Sequence, residues 1–253
     1  MRASKTATQA SDKASVQRWY DRMAGIERDG AGLFESLTPT KRYFRSRKLQ
    51  TALLLGGFPA QGRLLEIGCS VGQFTDPLVR MGYHMCGVDV SPNSIEVAKR
   101  RAQAAHLTNV SFMVGDAERL SQFPDQTFDG VVSFSTLRYV ADLRLALAEI
   151  HRVLKPDARA VIDFPNRWCP WFYLKPWLGS ERHPHDHWFS RRAVERLCIE
   201  GGFQDVLVRH LLFTPTVAPA RLLTGFQVMD WVGERLPIIR RLAGILMVGA
   251  TKP

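Results

Sequence analysis

The sequence predicts an α/β fold in which helices cover both faces of a mostly parallel sheet. Short apolar runs, typical of buried strands, alternate along the chain with longer amphipathic stretches, typical of helices. Turns that contain glycine or proline separate most of these segments. Because neighbouring parallel strands are joined by crossover connections, this serial alternation favours one doubly wound sheet.

Two helices are predicted before the first strand, at 15–26 and at 36–55, and the second ends at a pair of glycines. From there, apolar runs mark the strands and amphipathic stretches mark most of the connections between them. The predicted strands are 63–67, 84–88, 110–114, 128–134, 158–164, 206–213 and 245–251. The predicted helices between them are 73–81, 92–105, 141–154 and 190–201.

Local signals set the limits of these helices. Ser91 and Ser190 stand at N-cap positions, and Pro92 suits a first helical turn, where its missing N–H costs nothing. Gly82 ends the helix at 73–81. The helix at 141–154 carries four apolar residues on one face, namely Leu143, Leu147, Ile150 and Leu154. A Lys-Pro-Asp turn is expected directly after it.

The chain divides into three predicted regions. Residues 1–13 are polar and small, which predicts a disordered tail, and 14–57 form a helical cap. The main domain covers 58–253, and two segments in it, 165–189 and 214–243, interrupt the alternation. The first segment contains four of the six tryptophans and three histidines. Long loops in compact domains are usually functional, so both segments are predicted to cover a ligand site.

The apolar stretch 217–243 is predicted to be mostly helical, with breaks at Pro219 and Pro237. A buried helical hairpin over the site is the favoured interpretation. One alternative is a hydrophobic cover for a lipophilic ligand. Another is a helix that lies on anionic lipid, with Trp231 facing the acyl chains and Arg235 the headgroups.

Composition and charge limit the class of protein. The chain has 253 residues, of which 45% are hydrophobic and 23% charged, as in ordinary globular domains. Four cysteines without a CxxC pair indicate a reduced, cytosolic protein. The N-terminus lacks the apolar core of a secretory signal, and no apolar stretch reaches the ~20 residues that span a bilayer. The net charge of +10 comes mostly from scattered residues, so nucleic-acid binding is not favoured.

The most informative motif is Leu-Leu-Glu-Ile-Gly-Cys-Ser-Val-Gly at 64–72, with Asp89 twenty-one positions after Gly68. It joins a buried strand, a turn with glycines, a helix and a second strand that ends in an acid. Gly68 and Gly72 can adopt backbone angles closed to other residues, and they leave room for a ligand beside the main chain. An acid at this spacing can accept hydrogen bonds from both ribose hydroxyls. The motif therefore predicts a nucleoside-binding site.

With these motifs in this order, the chain resembles the class I S-adenosylmethionine-dependent methyltransferases that act on small molecules. The resemblance covers roughly 60–165, Gly201–Phe203 and the C-terminal strand, and it includes EIHRVLKPDA at 149–158, where relatives commonly read RVLKPGG. It implies a Rossmann-like sheet of seven strands with an antiparallel last strand, and S-adenosylmethionine as cofactor. A dehydrogenase would use the same acid, but its turn reads G-x-G-x-x-G, whereas 68–73 read GCSVGQ.

The resemblance also implies a role for each matching residue. Glu66 would hold the ammonium of the methionine part, Asp89 would bind the ribose, and Asp116 would accept a hydrogen bond from the adenine amino group. Two of the assignments have simpler alternatives, since Asp116 could cap a following helix and Ser133 could be an ordinary strand-end residue. The residues assigned to the cofactor are Glu66, Gly68, Cys69, Ser70, Gly72, Asp89, Val90, Asp116, Ala117 and Ser133.

Two positions depart from the family pattern. Relatives read Gly-Cys-Gly-Thr-Gly in the first motif, and this chain has Ser70 in place of the middle glycine. Serine is disfavoured at positive φ, so either the loop is adjusted or the cofactor binds less tightly. Asp157-Ala158 replaces the usual glycines after Lys-Pro, which should only reshape a turn.

Two regions offer groups for proton chemistry at the acceptor. Arg138 follows the fourth strand, where relatives often carry a histidine; because arginine stays protonated, it would bind an anionic acceptor or stabilise a phenolate. His185 and His187 are candidate general bases, because an unperturbed imidazole has a pKa of about 6.5. The HPHDH run at 183–187 could also bind a metal ion, but packing of the loop is favoured and no metal is predicted.

The sequence therefore predicts methyl transfer to a small, apolar or glycosylated acceptor, at oxygen or nitrogen rather than carbon. The alternatives are methylation of a lipid or quinone at the inner membrane face, and a nucleoside-binding module that has lost catalysis. Enzymes that methylate amino groups of nucleic acids carry Asn/Asp-Pro-Pro-aromatic after the fourth strand, where this chain reads SFSTLR. The predicted partner is a small molecule and not a nucleic acid.

Overall fold

The structure is a computed structural model, and it describes residues 14–22, 24, 38–174, 187–216 and 218–253. Its strands are β1 (Arg63–Ile67), β2 (His84–Asp89), β3 (Val110–Val114), β4 (Phe128–Ser133), β5 (Leu154–Pro165), β6 (Gln204–Leu211) and β7 (Ile245–Thr251). Its helices are α1 (Pro39–Gly56), α2 (Thr75–Arg80), α3 (Pro92–Ala104), α4 (Leu143–Val153), α5 (Pro170–Leu174), α6 (Arg191–Glu200) and α7 (Leu223–Gly233). Residues 14–22 are also helical, and 3-10 turns occupy Leu137–Tyr139, Ala220–Leu222 and Ile239–Leu242.

The seven strands form one sheet in the order β3-β2-β1-β4-β5-β7-β6. The pairs from β3 through β5 are parallel, whereas β7 lies between β5 and β6 and is antiparallel to both. The order reverses direction at β1 and β4, which is the switch point where ligands of open α/β sheets bind. The predicted fold class, a Rossmann-like sheet with an antiparallel last strand, is confirmed.

Helices cover both faces of the sheet, as consecutive residues of β1 show. Leu65 belongs to a core that includes Leu147 of α4 and Val194 of α6. Leu64 belongs to a second core that includes Leu49 of α1. Because successive side chains of a strand point to opposite faces, a strand buried on both sides has the continuous apolar sequence of β1.

The largest departure from the predicted limits is at the start of β5. The strand begins at Leu154, directly after α4, and not at Ala158. The predicted turn at 155–157 lies inside the strand as an irregularity, since the pairing with β4 jumps from Leu154 to Arg159 and Asp157 has φ +62°. The residue after β7 also pairs with this stretch. The Asp157 N–H donates to the carbonyl of Lys252 at 2.9 Å, and the Lys252 ammonium donates to the carbonyl of Leu154 at 2.7 Å. These bonds extend the sheet where the sequence signals a break.

The stretch 217–243 is not the buried hairpin that the sequence favours. It contains α7 between two 3-10 turns, and Val228, Trp231 and Ile238 are 58%, 59% and 80% exposed. Its inner side is anchored by the buried carboxylate of Asp230, which accepts hydrogen bonds from the hydroxyls of Tyr43 and Thr214 at 2.9 and 2.6 Å. No helix among the described residues is long and apolar enough to cross a membrane.

The helical residues 14–22 lie against the start of α3. The Ser91 hydroxyl, which caps α3, also donates to the carboxylate of Asp21 at 2.5 Å. Val16 of the same segment is buried. The segment thereby lies beside the carboxyl end of β2. The predicted tail at 1–13 lies outside the described residues.

Candidate active site

A cavity of about 310 Å³, called the first cavity here, opens at the carboxyl ends of β1, β2 and β4. The loops after these strands and after β3 form its walls, and residues 14–22 contribute two side chains. Its lining residues are Val16, Tyr20, Glu66, Ile67, Gly68, Cys69, Ser70, Gln73, Phe74, Val88, Asp89, Val90, Gly115, Asp116, Ala117, Glu118, Phe134, Ser135, Thr136, Tyr139 and Val140.

Asp89 is held at the end of β2 by the backbone on both sides of the cavity. Its Oδ2 accepts from the N–H of Ser70 at 2.9 Å, and its Oδ1 accepts from the N–H of Ser91 at 2.9 Å. The residue is only 8% exposed, and burial raises the pKa of its carboxyl even though these hydrogen bonds lower it. Each oxygen keeps a lone pair that can accept a further hydrogen bond from a ligand diol.

The turn between β1 and α2 requires unusual backbone angles. Gly68 has φ +74°, and a Cβ there would lie 1.9 Å from the Thr136 hydroxyl oxygen, so no larger residue fits. Ser70 has φ +48°, although it is not glycine. Gly72 has φ +85°, and it does not line the first cavity. Relatives have a glycine in place of Ser70, which adopts such an angle without strain, whereas Ser70 is strained there.

Replacing Ser70 by glycine should stabilise the protein by about 1 kcal/mol, because a non-glycine residue at this left-handed φ stores strain of that order. The Asp89 hydrogen bond uses the backbone N–H and survives the change. Denaturant unfolding measures the effect. Ser70→Ala is the matched control, since it removes the hydroxyl and keeps the strain. Equal stabilities of the two variants would contradict the explanation.

Glu66, the acid of the first motif, is buried at the end of β1 and is 1% exposed. Its Oε2 accepts from the Thr75 hydroxyl at 2.5 Å. Burial, opposed by that hydrogen bond and reinforced by the charge of Asp89, raises the pKa of Glu66 to about 8. A cationic ligand group in the cavity would favour its ionised form.

Gln73 adds a donor that the sequence analysis missed. Its side chain lines the first cavity, and its buried Nε2 has no hydrogen-bond partner among the described residues. A buried amide without a partner is costly, so this N–H group is suited to an anionic ligand group. A ligand with a diol, an ammonium and a carboxylate, as in S-adenosylmethionine, therefore fits the polar groups of Asp89, Glu66 and Gln73.

The loop after β3 presents two acids to the first cavity. Asp116 Oδ1 accepts from the N–H of Glu118 at 2.9 Å, so it closes a turn and not a helix. Glu118 accepts from the N–H groups of Ala141 and Asp142 at 2.7 and 3.0 Å, and this joins the loops after β3 and β4. Both carboxylates are thus partly used by the protein, and both still border the cavity.

A second cavity of about 150 Å³ lies beside the first, and Ser135 lines both. Its wall is formed by α1, the loop after β4, the end of β5, α5 and the segment after β6. The lining residues of this second cavity are Phe44, Lys48, Ser135, Arg138, Asp163, Pro165, Cys169, Trp171, Phe172, Leu212, Thr214, Pro215, Thr216, Gly244 and Ile245. Most of these side chains are apolar or aromatic, and two are cationic.

Eight of the ten residues predicted for the cofactor line the first cavity. The exceptions are Gly72 and Ser133; the Ser133 hydroxyl is fully buried and donates to the carbonyl of Ile67 at 3.0 Å, as an ordinary strand-end residue would. Arg138 lines the second cavity. His187 is exposed and lines neither cavity, and its N–H donates to the Arg138 carbonyl at 3.4 Å. His185 lies outside the described residues.

Residues from separate elements also line the two cavities. From the sequence, Tyr20 and Arg45 of the predicted N-terminal helices could contact the methionine carboxylate or the acceptor. Tyr20 lines the first cavity, with its ring 6.1 Å from that of Tyr139. Lys48 and Asp163 border the second cavity and carry no motif. The sequence analysis missed both residues. The features that could have indicated them are a lysine on the buried side of α1 and an acid within an apolar strand. Arg45 lines neither cavity.

The sheet, its switch point and the acid at the end of β2 define a nucleoside-binding protein of the Rossmann-like class. Residues 65–162 match the family described as a methyltransferase domain. The chain is 30% identical over 166 residues to a ubiquinone biosynthesis O-methyltransferase of Azorhizobium caulinodans, covering 62% of this chain and 65% of that protein. These similarities support a class I S-adenosylmethionine-dependent methyltransferase, and residues 65–162 resemble its catalytic domain.

A ubiquinone biosynthesis O-methyltransferase of Cereibacter sphaeroides is 26% identical over 225 residues, which cover 83% of this chain and 90% of that protein. The first two relatives, from Azorhizobium caulinodans and Bartonella bacilliformis, are matched over slightly less than two thirds of their length, 65% and 64%. The residues that match the family model, 65–162, include all of those that line the first cavity except Val16 and Tyr20.

Solved structures share the fold. A methyltransferase of Thermotoga maritima, described as a possible histamine N-methyltransferase, has a TM-score of 0.64 and 21% identity, and covers 92% of this chain and 98% of its own. The cyclase SpnF has a TM-score of 0.69 and 19% identity, with 94% and 95% covered. Because one of these proteins is described as a cyclase, the fold alone does not determine the reaction.

Proposed function

We propose that this protein transfers a methyl group from S-adenosylmethionine to the hydroxyl of a small, apolar acceptor. The observation that carries the proposal is the contact of two unlike cavities at Ser135. The first cavity offers fixed hydrogen-bonding groups for a nucleoside and an amino acid, and the second offers an apolar, net cationic space. Methyl transfer by in-line displacement needs such a dry arrangement, with donor and acceptor held side by side.

The cofactor supplies a methyl carbon that is activated by a positively charged sulfur. Asp89 would accept hydrogen bonds from its ribose hydroxyls, Glu66 would face its ammonium, and Gln73 would donate to its carboxylate. Asp116 would accept from the adenine amino group, between the apolar contacts of Val90 and the backbone of Ala117. Gly68, Cys69 and Ser70 complete the wall that approaches the methionine part.

The second cavity supports an aromatic acceptor. The rings of Phe44, Trp171 and Phe172 line it, and Trp171 is fixed by a hydrogen bond from its indole N–H to the Phe213 carbonyl at 2.6 Å. Arg138 also lines it and lies over the Phe172 ring at 5.9 Å, where its guanidinium can attract a phenolate. The similarity to ubiquinone biosynthesis O-methyltransferases supports oxygen as the methylated atom and a quinone-like acceptor.

Two measurements test the proposal. Calorimetry of the wild-type protein with S-adenosylmethionine should show stoichiometric binding, and the absence of heat would reject the assignment of the first cavity. Incubation with the cofactor and a metabolite extract should yield a product heavier by one methyl group in mass spectrometry. Binding without any turnover would instead support a nucleoside-binding module without catalysis.

Binding of the cofactor should release between about half and one proton near pH 6.5. The pKa of Glu66 is raised to about 8 in the free protein, so its carboxyl is protonated at that pH. An ammonium beside it favours the carboxylate, and the proton leaves. Calorimetry in two buffers of different ionisation enthalpy measures the number of protons released. Glu66→Gln should bind with the same heat in both buffers, and proton release from that variant would contradict the role of Glu66.

The same shift in pKa affects the stability of the free protein. Because the folded pKa of Glu66 lies above the unfolded value of 4.5, its neutral form favours folding. That contribution is complete below about pH 4.5 and is lost as the pH rises through 8. Glu66→Gln removes it, so the stability of this variant should depend less on pH within that window, as denaturant melts will show.

A second candidate function is methylation of a lipid or quinone at a membrane surface, and one observation favours it. The outer side of 214–243 exposes Trp231 and Ile238 next to Arg235 and Arg240, and the Arg235 guanidinium lies 4.2 Å from the Trp231 ring. Such a mixture of apolar and cationic side chains suits anionic bilayers. Flotation with phosphatidylglycerol vesicles tests this candidate function. Phosphatidylcholine vesicles and a Trp231→Ser/Ile238→Ser variant are the controls. If the wild-type protein binds neither lipid, this candidate function is rejected.

A further inference from the structure

We propose that Lys48 holds the acceptor oxygen as an oxyanion during methyl transfer, and that Asp163 and Ser135 position Lys48 for this role. The inference rests on the proposed function, because it assigns the acceptor to the second cavity. Lys48 and Asp163 belong to no sequence motif of the cofactor site, whereas Ser135 lines both cavities. Lys48 would be a catalytic residue, and the other two are positioning residues.

The three residues form a closed cluster where α1, β5 and the loop after β4 meet. The Lys48 ammonium lies 2.5 Å from Asp163 Oδ2 and donates to the Ser135 hydroxyl oxygen at 2.6 Å. The Ser135 N–H donates to Asp163 Oδ1. Lys48 and Asp163 are 4% and 3% exposed. Each element is thus tied to the other two, and the ammonium has a fixed position.

The ammonium keeps one donor for a ligand. Lysine has three N–H groups, and the two hydrogen bonds to Asp163 and Ser135 use two of them. The ring of Phe44 lies 5.3 Å from Lys48 Nζ and lines the same cavity, which gives the acceptor an aromatic neighbour. An acceptor oxygen in the second cavity can therefore receive the third N–H.

Stability alone does not explain this cluster. A buried ion pair stabilises a fold little, because the loss of hydration offsets the attraction, and apolar residues of similar volume would join α1 to β5 as well. The pair also borders an otherwise mostly apolar cavity and touches Ser135, the residue that lines both cavities. A fixed charge at the border of two ligand cavities indicates a role toward the ligand.

The charges around the second cavity favour an anion. The charged or titratable residues that line it, among those described, are Lys48, Arg138, Asp163 and Cys169. Two cationic side chains and one carboxylate leave this cavity net positive. A protonated amine would be repelled there, whereas a phenolate would be attracted. The cavity therefore selects an acidic hydroxyl over an amine.

The chemical step then needs no separate base. The acceptor hydroxyl, made more acidic by Lys48 and Arg138, releases its proton to water as the acceptor enters. The acceptor oxygen attacks the methyl carbon with a lone pair, and the carbon–sulfur bond breaks with its electron pair going to sulfur. The oxyanion and the sulfonium are both neutralised, so charge balances. The hydrogen bond from Lys48 keeps the oxygen in line for this attack.

The test uses para-nitrophenol, whose phenolate is coloured, as a probe of the second cavity. Bound to the wild-type protein, the probe should show a phenolate-to-phenol ratio about tenfold above that of the free probe at the same pH, a shift of its pKa by about one. The double variant Lys48→Met/Asp163→Asn removes both charges and nearly conserves volume. Because Arg138 remains in this variant, we expect the tenfold enrichment of the phenolate to fall to about threefold.

Matched variants isolate the effect. Lys41→Met, an exposed lysine on the same helix, should leave the titration unchanged. Arg138→Met should weaken the shift but not remove it. A wild-type protein that fails to bind or to ionise the probe would overturn the inference, and so would a shift in the double variant as large as that in the wild type. S-adenosylmethionine calorimetry on the same proteins tests the proposed function separately, because the probe needs no cofactor.

Discussion

Asp89→Ala should abolish measurable binding of S-adenosylmethionine at micromolar protein concentrations, with a loss of affinity of about a hundredfold or more. The carboxylate is placed to accept from two ligand hydroxyls, and each charge-assisted hydrogen bond contributes on the order of 1.5–3 kcal/mol. The substitution also leaves the N–H groups of Ser70 and Ser91 without their acceptor at 2.9 Å. The turn that forms the wall of the first cavity would therefore loosen as well.

Calorimetry measures this loss, and two variants separate its causes. Asp89→Asn keeps the shape and loses the charge, so it should bind with intermediate affinity. Glu96→Ala removes an exposed acid from α3 and should bind like the wild type. If Asp89→Ala bound the cofactor within about threefold of the wild type, the ribose role of this residue would be wrong.

Lys48→Met should produce the largest loss of stability, about 3–5 kcal/mol, because it leaves the carboxylate of Asp163 buried without its counter-ion. The carboxylate would retain the N–H of Ser135 as its remaining partner in the cluster. Denaturant unfolding monitored by the tryptophans measures the change in the free energy of unfolding.

The double variant Lys48→Met/Asp163→Asn should recover most of that loss, since no buried charge remains in the cluster. The exposed Lys41→Met change on the same helix should alter the free energy of unfolding by less than about 0.5 kcal/mol. A double variant as unstable as Lys48→Met would mean that packing of the lysine stem, and not the ion pair, holds α1 against the sheet.

Much of the fold and of the cofactor site could be predicted because the signals are local. The apolar run of β1 and the cap at Ser91 depend on neighbours within a few residues, and both have their predicted limits. The spacing from Gly68 to Asp89 follows from the lengths of one helix and one strand. Eight of the ten predicted cofactor residues line the first cavity for this reason.

The errors arise where distant segments meet. The bonds from Lys252 that extend β5 through 155–157 come from the other end of the chain, and a local turn signal carries no information about them. The solvent exposure of 214–243 could not be predicted either, because the sequence of an apolar helix does not show whether its outer side faces protein or water. The lid role of 165–189 stays a prediction, because 175–186 lie outside the described residues.

By itself, the sequence determined that this chain folds as a doubly wound sheet with a nucleoside site after β1 and β2. These features follow from hydrophobic periodicity, helix caps and one motif. Each is a property of a short stretch and can be recognised without knowing the rest of the structure. Only the tertiary structure decided that Lys48, Ser135 and Asp163 meet between two cavities. They are separated by 87 and 28 positions, and only the sheet order brings their elements together. A buried charge acquires its chemistry from neighbours in space, which no local pattern specifies.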